Sequence, residues 1–429
     1  MKKLVFLFII NWLPAQQSWN LQECLDYALK NNPDVQQSLL EVNKSIHEKN
    51  KANGKLLPSV GMGVGHSYSF GSTINPSNNA REATNVQYDQ FFAQANLDVF
   101  SWKNYLHIGL SKLNKEGSEF RVKTAQNHLQ LSIINLFFQY QKSKSWLEVL
   151  EPQVAGMKEQ IIRTEKEVEI GNRAKSDVYD IKANFGTIQE QWISAQNDNN
   201  LAKINLLAAL NINQDSVDFV MPDEALSLLS WTSKNEMIEE LIKRNPIYLE
   251  NQKNAEIAVQ KIKMAKSNYL PTISGQYQWS TFYSKTLNAN LISESFSNQF
   301  SQNKNQQVYL GFNIPVFQQF QVKNNVEIAK LDQLNIHLEN QKRLTELYKV
   351  LNIIAEQYLN ASERNRLLQE NFENQKLSFD RSEEKYREGL IDAYNFFVVR
   401  NNWLQANYNL INSKYDVMQQ AALLRVFEN

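Results

Sequence analysis

Residues 57–70 read Leu57-Pro58-Ser59-Val60-Gly61-Met62-Gly63-Val64-Gly65-His66-Ser67-Tyr68-Ser69-Phe70. From Val60 onward the stretch alternates without a break. Val60, Met62, Val64, His66, Tyr68 and Phe70 fall on one side; Gly61, Gly63, Gly65, Ser67 and Ser69 fall on the other. Side chains on a β-strand point to opposite faces in turn, so this spacing predicts a strand with one large, mostly apolar face and one small, polar face. Its glycines look superficially like a phosphate-binding loop, but they lie inside the strand and no helix follows, which excludes that chemistry.

Three further stretches alternate in the same way. Phe91, Ala93, Ala95, Leu97 and Val99 oppose Gln94, Asn96 and Asp98. Ile273, Tyr277, Trp279 and Tyr283 oppose Ser274, Gln276, Gln278 and Ser280. Val308, Leu310, Phe312, Ile314 and Val316 oppose Tyr309, Gly311 and Asn313. A soluble sandwich with a wet outer face is one reading. The length of about 10–12 residues per strand and the small, neutral polar face favour a membrane barrel around a water-filled lumen. Val64, Leu97, Tyr277 and Phe312 are then expected to face lipid, and Gly63, Asn96, Gln278 and Asn313 the lumen. Four strands cannot close a barrel, because lipid tolerates no open sheet edge and known barrels start at eight strands. The chain must pool strands with copies of itself. Two copies would give a narrow, filled barrel; three would give twelve strands with room for a channel.

Outward from the strands, the chain is duplicated. Leu25-Asp26-Tyr27-Ala28-Leu29-Lys30-Asn31-Asn32-Pro33 returns 213 residues later as Ile238-Glu239-Glu240-Leu241-Ile242-Lys243-Arg244-Asn245-Pro246, and Leu57-Pro58-Ser59-Val60 returns at the same offset as Leu270-Pro271-Thr272-Ile273. Such internal repetition fixes the plan of a fold before any local reading. The expected first repeat, 16–210, holds a helix over 21–56, strand-loop-strand over 58–100 with the loop at 71–89, a long helix over 101–170, and a helix over 175–210. The second, 235–429, holds a helix over 235–269, strand-loop-strand over 271–317 with the loop at 284–305, a long helix over 318–388, and a helix over 392–425. Residues 211–234 form the linker or equatorial region between them.

Heptad seams run along the long helices. Leu147, Leu150, Val154, Met157 and Ile161 step by three and four, as do Leu344, Leu347, Leu351, Ile354 and Tyr358, the spacing of helices packed as coiled coils. Pro152 predicts a local kink. At ~1.5 Å per residue, helix 101–170 would span roughly 105 Å and the two shorter helices of its repeat roughly 54 Å each. Each repeat can thus offer one continuous rod and one rod of two stacked halves, the parts of a long helical tube.

Composition narrows the function classes. The 429 residues carry 45 basic and 45 acidic side chains, without the basic surplus of a nucleic-acid binder. Residues 1–15 read as a signal peptide: Lys2 and Lys3, an apolar run over 4–13, then Leu13-Pro14-Ala15 as a cleavage end. That run is too short to cross a bilayer as a helix, and no other segment approaches ~18 uncharged apolar residues. Cys24, the single cysteine, permits no intrachain disulfide. Glu23 before it argues for a buried thiol rather than a lipid anchor. The five histidines are scattered without ligand spacing, and no nucleophile–base constellation is visible, so neither a metal, a cofactor nor an enzymatic activity is expected.

At this point the chain resembles the TolC family of outer-membrane efflux channels over essentially its whole mature length. The residues that carry the resemblance are the Asn-Pro of the first helix in each repeat, the Leu-Pro-[Ser/Thr]-[Val/Ile] leading into each strand pair, and the turns after the long helices. The resemblance implies a mainly α fold with a transmembrane β-barrel: a homotrimer with a twelve-stranded barrel, a long α-helical periplasmic barrel and an equatorial belt. It also implies contact with outer-membrane lipid of a Gram-negative cell, docking to a periplasmic adaptor and an inner-membrane pump, and no nucleic acid. Family turns close the tunnel like an iris. Residue by residue, the matching segments are Gly171-Asn172-Arg173-Ala174-Lys175-Ser176-Asp177 and Gly389-Leu390-Ile391-Asp392-Ala393-Tyr394-Asn395. Gly171, Asn172, Arg173, Ser176, Asp177, Gly389, Leu390, Asp392 and Asn395 are the candidate gate and docking residues. Asp177 has two readings, a pore-facing acid or a helix N-cap. Asn395 and Val398 stand where some members carry two acids, and Ile391 where an Arg centres a latch. An exported trimeric coiled-coil or adhesin-like protein without transport is one alternative, and a type I protein secretion duct another.

Overall fold

The computed structural model describes residues 17–74, 79–83, 85–213, 217–221, 233–287 and 294–428. The expected signal peptide lies outside these residues, as do parts of the expected linker and of both strand-connecting loops. In chain order, β1 (Gln17–Trp19) leads into α1 (Leu21–Asn31) and α2 (Pro33–Gly54), followed by β2 (Ser59–Ser69), β3 (Ser72–Ile74), β4 (Arg81–Ala83) and β5 (Val86–Phe100). Next come α3 (Trp102–Glu169), α4 (Lys175–Ala209), β6 (Val217–Phe219), α5 (Lys234–Arg244) and α6 (Pro246–Ser267). The chain continues through β7 (Thr272–Thr286), α7 (Phe296–Gln302), β8 (Asn305–Asn313), α8 (Gln321–Arg387) and α9 (Ala393–Glu428).

Several bounds differ from the sequence reading, each for a local reason. The helices expected over 21–56 and 235–269 are each broken at Asn-Pro. Asn32 and Asn245 are extended, as a residue before proline prefers. Their side chains then cap the next helix: the Asn32 carbonyl accepts from the amides of Asp34 (2.9 Å) and Val35 (3.3 Å), and that of Asn245 from Ile247 (2.9 Å). Proline follows at the first helical position, where its missing N–H costs nothing. The strand expected from 91 starts at Val86, and the one expected to end at 283 runs to Thr286. The strand expected over 306–317 stops at Asn313: Pro315 cannot donate to a ladder, and Gln319 and Phe320 take left-handed φ of 51° and 59° on the way into α8. The expected loop 71–89 contains the β3–β4 hairpin and the expected loop 284–305 contains α7. α3 stays helical on both sides of Pro152, whose missing amide leaves the Glu148 carbonyl without its helical donor.

Contacts divide the chain into two compact units, and each draws on both halves of the sequence. One comprises Met1–Leu40, Phe120–Leu249 and Lys342–Asn429; the other comprises Glu41–Glu119 and Glu250–Gln341.

The second unit carries a four-stranded antiparallel sheet in the order β2-β5-β7-β8. β5 and β7 bring the two halves of the chain together, with a register shift between Asp98 and Phe100. β2 and β8 are its edges, each with no second strand partner among the described residues. The upper part of β7 runs beyond the start of β8, and α7 covers it there. The Gln299 side chain accepts from the Ser284 amide and donates to its carbonyl, both at 2.9 Å. Thr281 Oγ1 donates to the Phe300 carbonyl, and Phe296 and Phe300 lean onto Phe91, Trp279 and Tyr283. A helix laid on a strand edge satisfies the ladder groups that would otherwise pair with another chain. Among the helices of this unit, polar contacts join the packed faces. The Ser45 and Ser118 hydroxyls lie 3.0 Å apart, and Asn251 and Asn340 donate to each other's carbonyls at 3.3 and 2.9 Å.

The first unit holds the largest core. Ile133, Ile134, Phe137 and Phe138 of α3 meet Leu206 and Leu210 near the end of α4, Ile238 of α5, Leu351 of α8 and Leu424 of α9. Leu150, Met157, Leu347, Leu351, Ile354 and Tyr358, all from the two heptad seams, are buried. Cys24 is fully buried in the same core. β1 pairs in parallel with β6, a two-stranded belt with no sequence signal in strands of three residues. Gln141 Nε2 donates to the Phe219 carbonyl (3.0 Å) and Lys144 pairs with Asp218 (3.0 Å), which ties this belt to α3.

Candidate functional site

Two regions hold every residue singled out by sequence: the helical turns of the first unit and the sheet of the second.

The turns after α3 and α8 are built alike. The Gly171 amide donates to the Val168 carbonyl (3.1 Å) and the Asn172 amide to the Glu167 carbonyl (2.8 Å). Gly389 and Leu390 repeat the pattern on Tyr386 (3.1 Å) and Lys385 (2.8 Å). This pair of bonds needs a left-handed residue at its centre, and Gly171 (φ 80°) and Gly389 (φ 73°) supply it without a Cβ clash.

Asp177 is not the cap of α4. Ala174 occupies that position without a side-chain bond, and Asp177 lies in the first helical turn. Its carboxylate, partly buried, sits 3.8 Å from the Arg173 guanidinium. At the start of α9 an aspartate does cap: Asp392 accepts from the Asn395 amide (2.8 Å) and from the Asn395 side chain (3.1 Å), so those two candidates form one local structure. Asp392, Asn395, Asn172, Ser176 and Leu390 are all exposed.

Arg173 joins the two turns. Its Nε pairs with Glu167 (2.6 Å), an Nη2 donates to the Tyr386 carbonyl at the end of α8 (3.1 Å), and its guanidinium stands 4.4 Å from the centre of the Tyr386 ring. Tyr386 in turn stacks on Phe396 of α9, centroids 4.7 Å apart and planes 9° apart. Burial pushes the Tyr386 phenol above its ordinary value, although the Arg173 charge works in the other direction. Met157, Ile181, Ala393 and Phe397 complete the buried cluster beneath. Ile391 holds no arginine, but an arginine-centred contact between the turns exists all the same, supplied from the first turn. Further along the helices Arg400 is buried and donates to the Gln153 side chain (3.0 Å); burial lowers its guanidinium to about 10, with Glu383 opposing. Sequence reasoning gave no sign that Tyr386 meets Arg173, 213 residues away in the chain, and did not single out Glu167 or Phe396. It passed over Ile170 and Tyr179 and gave Tyr394, within the second turn segment, no role of its own; all three are large side chains about 70% exposed at the turns.

In the sheet, register puts Gly63, Asn96, Gln278 and Asn313 on one face. Gly63 faces Phe92, Ser59 faces Asn96, Gln94 faces Gln278, and Thr272 faces Asn313. Val64, Leu97, Tyr277 and Phe312 fall on the other face by the same ladders. Val60, Met62, Val64, Val308 and Phe312 there are largely exposed in the single chain. Aromatic groups stand at both ends of the strands: Phe100, Trp102 and Tyr105 cluster at the end near α3, Tyr68 and Phe70 at the other. Among the described residues no helix is long and apolar enough to cross a membrane, and no cluster of His, Cys, Asp or Glu could hold a metal ion.

The family described as outer membrane efflux protein matches the chain over residues 24–211 and again over 237–427. The chain belongs to this family. Outer membrane protein TolC of Escherichia coli K12 is 24% identical over 343 residues, 76% of this chain and 65% of TolC; the match thus spans less than two thirds of that relative. Two solved structures share the fold. The outer membrane protein VceC of Vibrio cholerae superposes with a TM-score of 0.77 at 14% identity, over 95% of each chain. The Campylobacter jejuni CmeC outer membrane channel does so with a TM-score of 0.77 at 19% identity, over 95% of this chain and 85% of CmeC. Membership places the chain in the outer membrane.

Proposed function

We propose that the chain is one protomer of a homotrimeric export channel, the outer-membrane duct of a tripartite efflux system. The observation that carries this reading is the sheet. It has one apolar and one largely polar face, lies between two sets of aromatic residues, and leaves both edges open. In lipid such edges must be closed, and closing them with copies of the same chain yields twelve strands from three protomers. The aromatic groups at both strand ends match the girdles that flank the apolar band of outer-membrane barrels. Exposed apolar stripes on the helices, such as Ile328, Leu331, Leu334 and Leu338 of α8, support the pooling of long helices into a tunnel, since such a stripe finds cover against another helix. The double match of the family to the two halves supports the reading of the chain as two repeats.

In the same proposal the turns at Gly171 and Gly389 form the periplasmic gate and the docking surface for an adaptor, which in turn engages an inner-membrane pump. Exposed Ile170, Tyr179, Leu390 and Tyr394, four large side chains gathered at the two turns, support docking there, because grouped exposed apolar side chains mark interaction sites. Asp177 is paired with Arg173, so the gate closes chiefly by packing and ion pairing, and an acidic ring adds less than a free carboxylate would.

The test is reconstitution of the full chain in planar lipid bilayers. Discrete single-channel currents are expected, together with trapping of a periplasmic adaptor by photocrosslinkers at Asn172 and Leu390 in cells. A chain that inserts in lipid but never conducts would leave the exported structural protein as the better reading.

A further inference from the structure

The sheet face that carries Gly63, Asn96, Gln278 and Asn313 is not uniformly polar. Tyr88, Phe92, Phe282 and Tyr309 project from it as well. Tyr309 is 55% exposed and the other three are half-buried. A wall that only has to hold water gains nothing from rings, which leave apolar surface in water that Ser or Gln would not.

Two of the rings reach over glycines. Phe92 faces Gly63 across the β2–β5 ladder, and its Cζ lies 2.5 Å from where a Cβ on Gly63 would stand. The ring therefore occupies space that only a glycine leaves. Tyr309 lies along its own strand over Gly311, with Cε1 and the hydroxyl 2.8 and 2.9 Å from the Cβ position there. Tyr88 and Phe282 meet diagonally between β5 and β7, centroids 5.4 Å apart and planes 32° apart. Cross-strand packing explains why rings settle on glycines. It does not explain their presence on this face, since the apolar face offers the same ladders without leaving rings in water. Aromatic π faces stack on planar groups and attract cations. The side chains between them, Gln94, Gln278 and Ser280, carry no charge that would repel a cation.

We propose that Tyr88, Phe92, Phe282 and Tyr309 form an aromatic lane on the channel wall that binds planar aromatic molecules, cationic ones most tightly, with Gly63 and Gly311 as the seats that receive two of the rings. This rests on the reading of that face as the lumen. The lane makes the barrel a selective surface for cargo rather than a passive pipe, and in a trimer it recurs three times around the bore.

Planar-bilayer recordings of the full chain test it, with benzyltrimethylammonium and tetramethylammonium as the blocking ions. The aromatic ion is expected to block at lower concentration. Phe92→Leu and Phe282→Leu should each weaken that block by about two- to fivefold, the worth of an exposed cation–π contact, and leave tetramethylammonium unaffected. Phe91→Leu, on the opposite face, should change neither. Gly63→Ala should lift the Phe92 ring into the bore and lower the unitary conductance, whereas Gly61→Ala, with open space at its Cβ position, should not. If a double leucine variant does not insert, the single variants give the same readout. Equal block by the two ions in the unaltered channel, or an aromatic preference that survives both leucines, overturns the lane. Gln278→Cys separates this from failure of the underlying reading: if an impermeant thiol reagent leaves it unlabelled while Tyr277→Cys is labelled, the face is not the lumen.

Discussion

Arg173 reaches two carboxylates, Glu167 closely and Asp177 at 3.8 Å, together with the carbonyl and the ring of Tyr386. A charged hydrogen bond of this kind contributes about 1.5–3 kcal/mol when its partners are shielded, and the Arg173 side chain is only 16% exposed. Arg173→Gln should therefore loosen both turns, with amides at 171–174 and 388–391 exchanging roughly ten- to a hundredfold faster in hydrogen–deuterium exchange. Asp177→Ala should do much less, because that ion pair is long at 3.8 Å. Equal protection in Arg173→Gln would show that the glycine-centred bonds alone hold the turns. Cys24 offers a second residue-scale test. Burial, with a smaller push from Glu23, raises its thiol from 9.0 to about 12. Folding then favours the neutral form, so its contribution to stability is complete below pH 9 and is lost as pH rises from 9 towards 12. A maleimide at pH 8 should leave folded Cys24 unmodified and label it once denaturant unfolds the chain, since the thiolate is the nucleophile. Rapid labelling of the folded protein would contradict the burial.

Among the elements, the two Asn-Pro breaks show how a short motif sets geometry. Each ends one helix and starts the next in two residues, with the asparagine as cap and the proline as first helical residue. Asn32→Ala and Asn245→Ala should each cost about 1 kcal/mol, the worth of an N-cap, read as a lower denaturant midpoint at unchanged slope. Asn32→Asp should keep most of the stability, because a carboxylate caps as well. A loss in Asn32→Asp equal to that in Asn32→Ala would remove capping as the cause. α7 illustrates the opposite case. It is short, with little to mark it in a loop of Ser, Asn and Gln, and its position depends on Gln299 meeting the backbone of Ser284.

For the whole molecule, oligomerisation is the main consequence of the sheet. One chain supplies four strands and two uncovered edges, so detergent-solubilised protein should be trimeric by native mass spectrometry. Substituting proline for Val308 or Leu310 on the β8 edge should shift it towards monomer, since proline removes a ladder donor. A monodisperse monomer or dimer of the unaltered chain would defeat the pooled barrel. The compact units carry a related lesson. Neither corresponds to a sequence repeat, because each is assembled from matching pieces of both halves.

The sequence by itself determined the two long helices, the four sheet strands and the faces of those strands. Alternation in 57–70 and its three counterparts assigned Gly63, Asn96, Gln278 and Asn313 to one side, because a strand has a period of two whatever it packs against. Heptad leucines located buried seams, and glycine located both turns, since few other residues adopt positive φ. Strand ends were less legible. β5 reaches Val86 because β2 and β7 supply ladder partners there, and partners are not encoded locally. Tertiary structure alone decided which groups meet. Arg173 on Tyr386, Asp392 but not Asp177 as a helix cap, α7 on the edge of β7, and Phe92 over Gly63 all depend on distances between segments remote in the chain or on the setting of a single turn. Periodicity reports the direction in which a side chain leaves the backbone; what it touches is fixed by the other elements that arrive there.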